Sequence, residues 1–229
     1  LMLRLAALRE TKMNLLDTAI EGYRQVLERE PANGEALGAL ERLGKLAEHE
    51  EKIAEILEPL YRASGDFMKL IGVHEVQVRR TDDLSRKVEL LHQIATLYED
   101  QGGDLNAAFD THARALAHDP ALDTTQQALD RLARSTGRLA DHAKVLEDLA
   151  ATQQDPELGS QLFMMSARVY EELADVESAI KHYRTVFDRN LDAHDPGELR
   201  EHIAYYQQAI DRLHPSPADF FRAGDDQFA

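Results

Sequence analysis

The chain has 229 residues, 43% hydrophobic and 30% charged, which is the balance of a folded chain and not of a disordered one. Ala and Leu together number 63 against 17 for Val and Ile, with Gly at 12 and Pro at 7, so the expected fold class is all-α. A net charge of −16 opposes phosphate backbones and anionic lipid, so neither nucleic acid nor membrane is an expected partner; the lack of Cys excludes disulfides, a thiol nucleophile and a Cys-type zinc site.

In chain order, Leu1 to Ala6 opens straight into a helical pattern without a capping box, which reads as an excerpt from a longer array. Leu15, Ala19, Tyr23, Val26 and Leu27 share one helical face, and the run from Pro31 to Gly34 ends that helix. Ile53, Ile56, Leu57, Leu60 and Tyr61 continue a helical period across Pro59, which predicts a kink or a new helix start there. Val88, Leu91, Ile94, Ala95 and Tyr98 form another face, closed by Gly102-Gly103-Asp104. Asp119-Pro120 and Asp155-Pro156 mark two further breaks. About twelve helices of 12 to 17 residues are expected, joined by loops of 2 to 5 residues that force antiparallel packing of neighbours.

The chain also matches itself. At a period of 89 residues, Ala19 pairs with Ala108, Pro31 with Pro120, and 39–43 with 128–132. At a period of 72, Leu90, Leu91, Ala95 and Tyr98 pair with Leu162, Phe163, Ala167 and Tyr170, and Ala108 then pairs with Ala179 across a loop one residue shorter. The periods differ by 17, about one helix and its turn, which predicts an additional helix from Asp66 to Arg80.

Small and aromatic residues at these spacings resemble the tetratricopeptide repeat. The stretch 87–120 fits best, with Leu91, Ile94, Ala95, Tyr98, Ala108, His112, Ala115 and Pro120; 1–31 and 158–190 also fit, and the helices between them look degenerate. Residues 1–213 are taken as the repeat domain, with 214–229 as a tail. The resemblance implies an α-solenoid of antiparallel helix pairs wound as a right-handed superhelix. It further implies a non-catalytic scaffold or adaptor that binds a peptide or helical segment of a partner in its concave groove. The alternative is a regulatory segment of a larger multidomain enzyme or signalling protein.

Carrying the family's groove positions over gives Glu89, His92, Thr96, Glu99 and Asp100 from one unit, and Gln161, Met164, Arg168, Glu171 and Glu172 from another. So many acids imply a basic or mixed-charge ligand. The family's clamp for C-terminal carboxylates needs Lys and Asn where His92, Met164, Thr96 and Arg168 stand, which argues against that ligand.

Catalytic signatures are missing: no G-x-S-x-G, G-x-G-x-x-G, phosphate loop or H-E-x-x-H occurs, and no cofactor is expected. His74 and His112 read as packing residues in a slot that Tyr23 and Tyr183 fill elsewhere. The pair Glu89/His92 has the spacing of a carboxylate-bridged metal motif, but its nearest second copy is Asp211/His214, so no metal site is expected. The tail, with Phe220, Phe221 and Phe228, reads either as a cap on the last helix pair or as a short motif for another protein. Self-association through uncapped ends is a further expectation. A cytoplasmic location is expected, and the lack of Cys suits the periplasm as well.

Overall fold

The computed structural model describes residues 1–193 together with residues 204, 207, 208, 211 and 212. Among residues 1–193 there are eleven α-helices and no strand. They are α1 (Met2–Thr11), α2 (Leu16–Arg29), α3 (Gly34–Leu43), α4 (Glu50–Ser64), α5 (Phe67–Arg80), α6 (Leu84–Leu97), α7 (Leu105–His118), α8 (Asp123–Thr136), α9 (Leu139–Thr152), α10 (Pro156–Glu172) and α11 (Val176–Ala193). A π-helical turn, Tyr98–Gly102, extends α6 and closes at Gly103, whose φ of +61° ends the helix as the Gly pair predicts.

The internal periods recur in the helices themselves. Helices α2, α3, α4 and α5 begin at Leu16, Gly34, Glu50 and Phe67, and α7, α8, α9 and α10 each begin 89 residues later. Helix α10 also begins 72 residues after α6, and α11 begins 71 after α7. The helix inferred between Asp66 and Arg80 is α5, with Asp66 as its cap accepting a hydrogen bond from the amide of Lys69. Asp83, Asp104 and Asp155 cap α6, α7 and α10 in the same way, and Pro156 occupies the first turn of α10, where its missing N–H costs nothing. Pro59 starts no new helix: α4 runs through it from Glu50 to Ser64.

The chain divides into two compact units, Leu1–Asp119 and a second from Pro120 onward. In the first, helices pack on their sequential neighbours from α1 to α7; in the second, α8 to α11 do the same. This is the contact pattern of tetratricopeptide-like helix pairs, in which no pair buries its apolar side alone. Two apolar clusters among the described residues lie within the first unit. One runs from Ala6 through Ile20, Leu40 and Leu57 to Leu70 and Val73; the other joins Ile71 and Val78 to Leu90, Leu91, Ile94 and Ala115. Helix α5 feeds both, with Leu70 and Val73 on one side and Ile71 and Val78 on the other. In the second unit Leu129, Leu132, Leu146, Leu162, Ala179 and Val186 are buried. Small residues set the spacing: a Cβ added to Gly22 of α2 would lie 2.9 Å from Cβ of Ala6 on α1, so this pair approaches as closely as its side chains allow.

The tail from 214 to 229, His194, His202 and His214 lie outside the described residues.

Candidate functional site

The insertion of α5 next to α6 creates a cleft. It has a volume of about 450 Å³ and is bounded by the end of α4 (Tyr61, Arg62, Gly65), by α5 (Phe67, Leu70, His74) and by α6 (Glu89, His92, Gln93, Thr96), with Leu97 and Gln101 at one end. Three groove residues expected from the sequence, Glu89, His92 and Thr96, therefore lie on one wall, and α5 supplies the facing wall. The apolar part is Phe67, Leu70 and Leu97. Phe67 leans on the π-helical turn, where a Cβ added to Gly102 would lie 3.3 Å from its ring.

Polar groups around the cleft are held in defined states. Gln77 donates from its amide to Glu58 (2.7 Å), which turns its oxygen toward Nδ1 of His74 at 3.0 Å, so that nitrogen carries the hydrogen. His92 is half-buried, and burial lowers its pKa; its ring lies 5.3 Å from that of His112. The Thr96 hydroxyl donates to the carbonyl of His92 (2.9 Å). The rim charges are paired on their own helices, Glu89 with Arg86 at 2.6 Å and Arg62 with Glu58 at 2.8 Å. What the cleft offers is an apolar floor edged by uncharged amides, Gln93 and Gln101, and by imidazoles.

The remaining expected groove residues sit elsewhere. Asp100 is exposed on the π-helical turn. Gln161 and Arg168 are exposed on α10 and Met164 is half-buried there, in the second unit. Glu171 accepts a hydrogen bond from the Tyr183 hydroxyl (2.8 Å), and Glu172 holds the Arg134 guanidinium at 2.7 and 3.0 Å. These two acids thus tie α10 to α11 and to α8. Glu99 stands 3.7 Å from Nε2 of His112. Phe67, Leu70, His74, Gln93 and Gln101 are cleft residues that sequence reasoning did not select. The 17-residue difference between the periods pointed to the helix carrying three of them, but not to its face.

The acids at 10, 99 and 171 follow the same internal periods. Tyr23 donates to Glu10 (2.6 Å), His112 faces Glu99, and Tyr183 donates to Glu171. Each helix pair α1/α2, α6/α7 and α10/α11 carries this carboxylate-to-ring contact. His112 does fill the slot of Tyr23 and Tyr183; His74, on α5, stands 89 residues before Phe163 instead.

Among the described residues no group of three or more His, Asp or Glu side chains is arranged to hold a metal ion, and no helix is long and apolar enough to cross a membrane.

No protein-family model matches the chain, and no curated protein matches its sequence. Solved structures similar to it include BtubC (BKLC) from P. vanneervenii, at 17% identity and a TM-score of 0.38, covering 94% of this chain and 87% of that one. MamA is similar at 16% identity and a TM-score of 0.34, covering 75% of this chain and 96% of that one. A thermophilic TPR protein from Thermus thermophilus is similar at 17% identity and a TM-score of 0.32, covering 90% of this chain and 97% of that one.

Proposed function

We propose that this chain is a non-catalytic binding scaffold whose cleft between α4, α5 and α6 receives a segment of a protein partner. An apolar anchor side chain enters between Phe67, Leu70 and Leu97, and backbone amides of the segment meet the side-chain amides of Gln93 and Gln101. The observation that carries this reading is the lining: an apolar floor with uncharged hydrogen-bonding groups at its edge suits a peptide better than a phosphate or a metal. The net charge of −16 favours approach of basic or mixed-charge partners, but it acts at long range. Close recognition in the cleft rests on shape and on the amides, because Glu89 is already paired with Arg86.

The test is capture from native lysate with three baits: the parent chain, Thr96→Trp, which blocks the cleft from an exposed helix position, and Arg168→Glu on α10. A protein retained by the parent and by Arg168→Glu but lost with Thr96→Trp supports the cleft. Loss with Arg168→Glu alone moves the binding face to α10. Identical proteins on all three baits, with circular dichroism showing that each is folded, would overturn the reading.

A further inference from the structure

Helix α5 borders a second opening. The cleft uses positions 67, 70 and 74 of this helix, whereas a notch of about 290 Å³ uses 69, 72, 73 and 76, a different face that adjoins the first at Leu70 and Val73. The floor of the notch is Ile53, Ala54 and Leu57 of α4 with Val73 and Val76 of α5. Gly72 leaves one edge low, with nothing within 4 Å of an added Cβ, whereas a Cβ added to Gly44 would lie 3.1 Å from the Ile53 side chain. On its rim, Glu41 accepts hydrogen bonds from Lys69 and Tyr61 (both 2.8 Å), and Glu50 is held by Arg79 and Arg80. Lys45, also on the rim, makes no direct ion pair or hydrogen bond among the described residues and acts on the Glu41 carboxylate only through space.

The later block, 89 residues on, carries larger side chains at four of the notch positions and pairs its charge within the chain. It has Ala133 for Gly44, Gln161 for Gly72, Leu162 for Val73 and Met165 for Val76, each a larger side chain. Arg134 replaces Lys45 and grips the Glu172 carboxylate with two hydrogen bonds. In the earlier block the residue in register with Glu172 is Asp83, whose carboxylate is occupied in capping α6 through the amides of Ser85 and Arg86. Glu41, Tyr61 and Lys69 run the other way in size, replaced by Asp130, Ala150 and Leu158; Tyr61 serves as a wall beneath the ammonium of Lys69.

We infer that the α3–α4–α5 notch is a second binding site, which takes one apolar side chain of methionine or leucine size from a partner polypeptide, with a neighbouring carboxylate of that partner meeting Lys45. The later block is the template: there a helix supplies the larger apolar side chains and the carboxylate from within the chain. At contact range Lys45 and the apolar floor together select an apolar segment with one carboxylate, against the long-range field of the −16 chain and unlike the amide-edged cleft. This site does not depend on the cleft being the partner groove.

The experiment is a titration of the full chain, isotope-labelled at Ile, Leu and Val methyls, with acetyl-Gly-Met-Glu-Gly-amide and with its Gln analogue, followed by nuclear magnetic resonance. The expected result is saturable shifts at Ile53, Leu57, Val73 and Val76, with the Gln analogue binding about five-fold more weakly. Val76→Met, which copies the later block, should abolish the shifts, and Lys45→Ala should make the two peptides equal. Gly72→Gln is a second filling variant if Val76→Met disturbs the fold. The inference is overturned if these methyls stay still up to the solubility limit of the peptide, or if a folded Val76→Met chain binds as well as the parent. It is equally overturned if the shifts fall on Leu70 and Leu97 instead, or if decanoate shifts the notch and neither peptide does.

Discussion

His142 and His182 are buried at 2% and 1% exposure, yet each lies beside a carboxylate: Nδ1 of His142 is 3.7 Å from Asp130, and Nε2 of His182 is 3.3 Å from Glu147. Burial lowers both pKa values and outweighs these acids; Arg134 also disfavours charge on His142, and Lys181 and Lys144 disfavour it on His182. A folded-state pKa below the ordinary value of about 6.5 means the unfolded chain binds more protons as pH falls. The stability these residues support is therefore complete above about pH 6.5 and is lost progressively below it. The melting temperature should fall between pH 7.5 and 5, and a His142→Leu, His182→Phe chain should show a flatter profile. Equal slopes in the two chains would rule out this account. Glu147 behaves oppositely: burial alone would raise it, but Lys181, Lys144 and His182 hold it down to about 2. Its contribution is present above the ordinary carboxylate range and lost as pH falls toward 2, on the order of 1–2 kcal/mol after solvent screening. Glu147→Gln should lower the midpoint of urea unfolding at pH 7 and converge with the parent in acid.

At the scale of elements, α5 shows which forces hold an inserted helix. Ion pairs join it to three neighbours: Lys69 to Glu41 on α3, Arg79 and Arg80 to Glu50 on α4, and Glu75 to Arg114 on α7 at 2.6 and 2.8 Å. Arg114 is about half exposed, so Arg114→Ala should cost no more than about 1 kcal/mol. Ile71, 4% exposed, leaves a cavity when truncated, and Ile71→Ala should cost about 2–4 kcal/mol. Urea unfolding midpoints decide between these magnitudes; an Arg114→Ala loss as large as that of Ile71→Ala would show the ion pairs, and not the core, to be dominant. The existence of α5 was legible in the sequence because a helix with its turn leaves a fixed-length difference between two internal periods. Its ends were legible too, since Asp66 is a cap and Arg80 precedes a polar break. The cleft was legible only on the α6 side, because helical periodicity finds the buried stripe of one helix but not which neighbour faces the rest. Glu171 and Glu172 read as groove acids through the family resemblance, which carries no information on their partners. The resemblance put them on an open face, and Tyr183 and Arg134, distant in sequence, meet them in space. Aligning Glu10, Glu99 and Glu171 by the internal periods would have marked the first of the pair.

For the whole molecule, the excess of Ala and Leu was enough to set the class, because local propensity and pairwise stacking of helices agree. The division after Asp119 was not visible: Asp119-Pro120 resembles the Asp155-Pro156 turn inside the second unit, and two like turns cannot announce that only one separates compact bodies. That division carries a consequence for folding. Two apolar clusters are built wholly from residues before Pro120, and α1 to α7 pack in sequence within the first unit. Repeat stability is close to a sum of units and nearest-neighbour contacts, so a fragment need only keep its internal contacts to fold. Residues 1–119 expressed alone should therefore be helical and unfold cooperatively in urea, with a slope about half that of the full chain in proportion to the surface exposed. Helix α1 presents Leu5 and Leu8, 46% and 48% exposed, to solvent, so the fragment should also gain mass with concentration and lose that behaviour with Leu5→Glu, Leu8→Glu. A fragment that is helical but melts without cooperativity would show that the first unit draws its stability from beyond Asp119. A cooperative fragment of constant mass would leave the folding unit in place and remove α1 as a self-association surface.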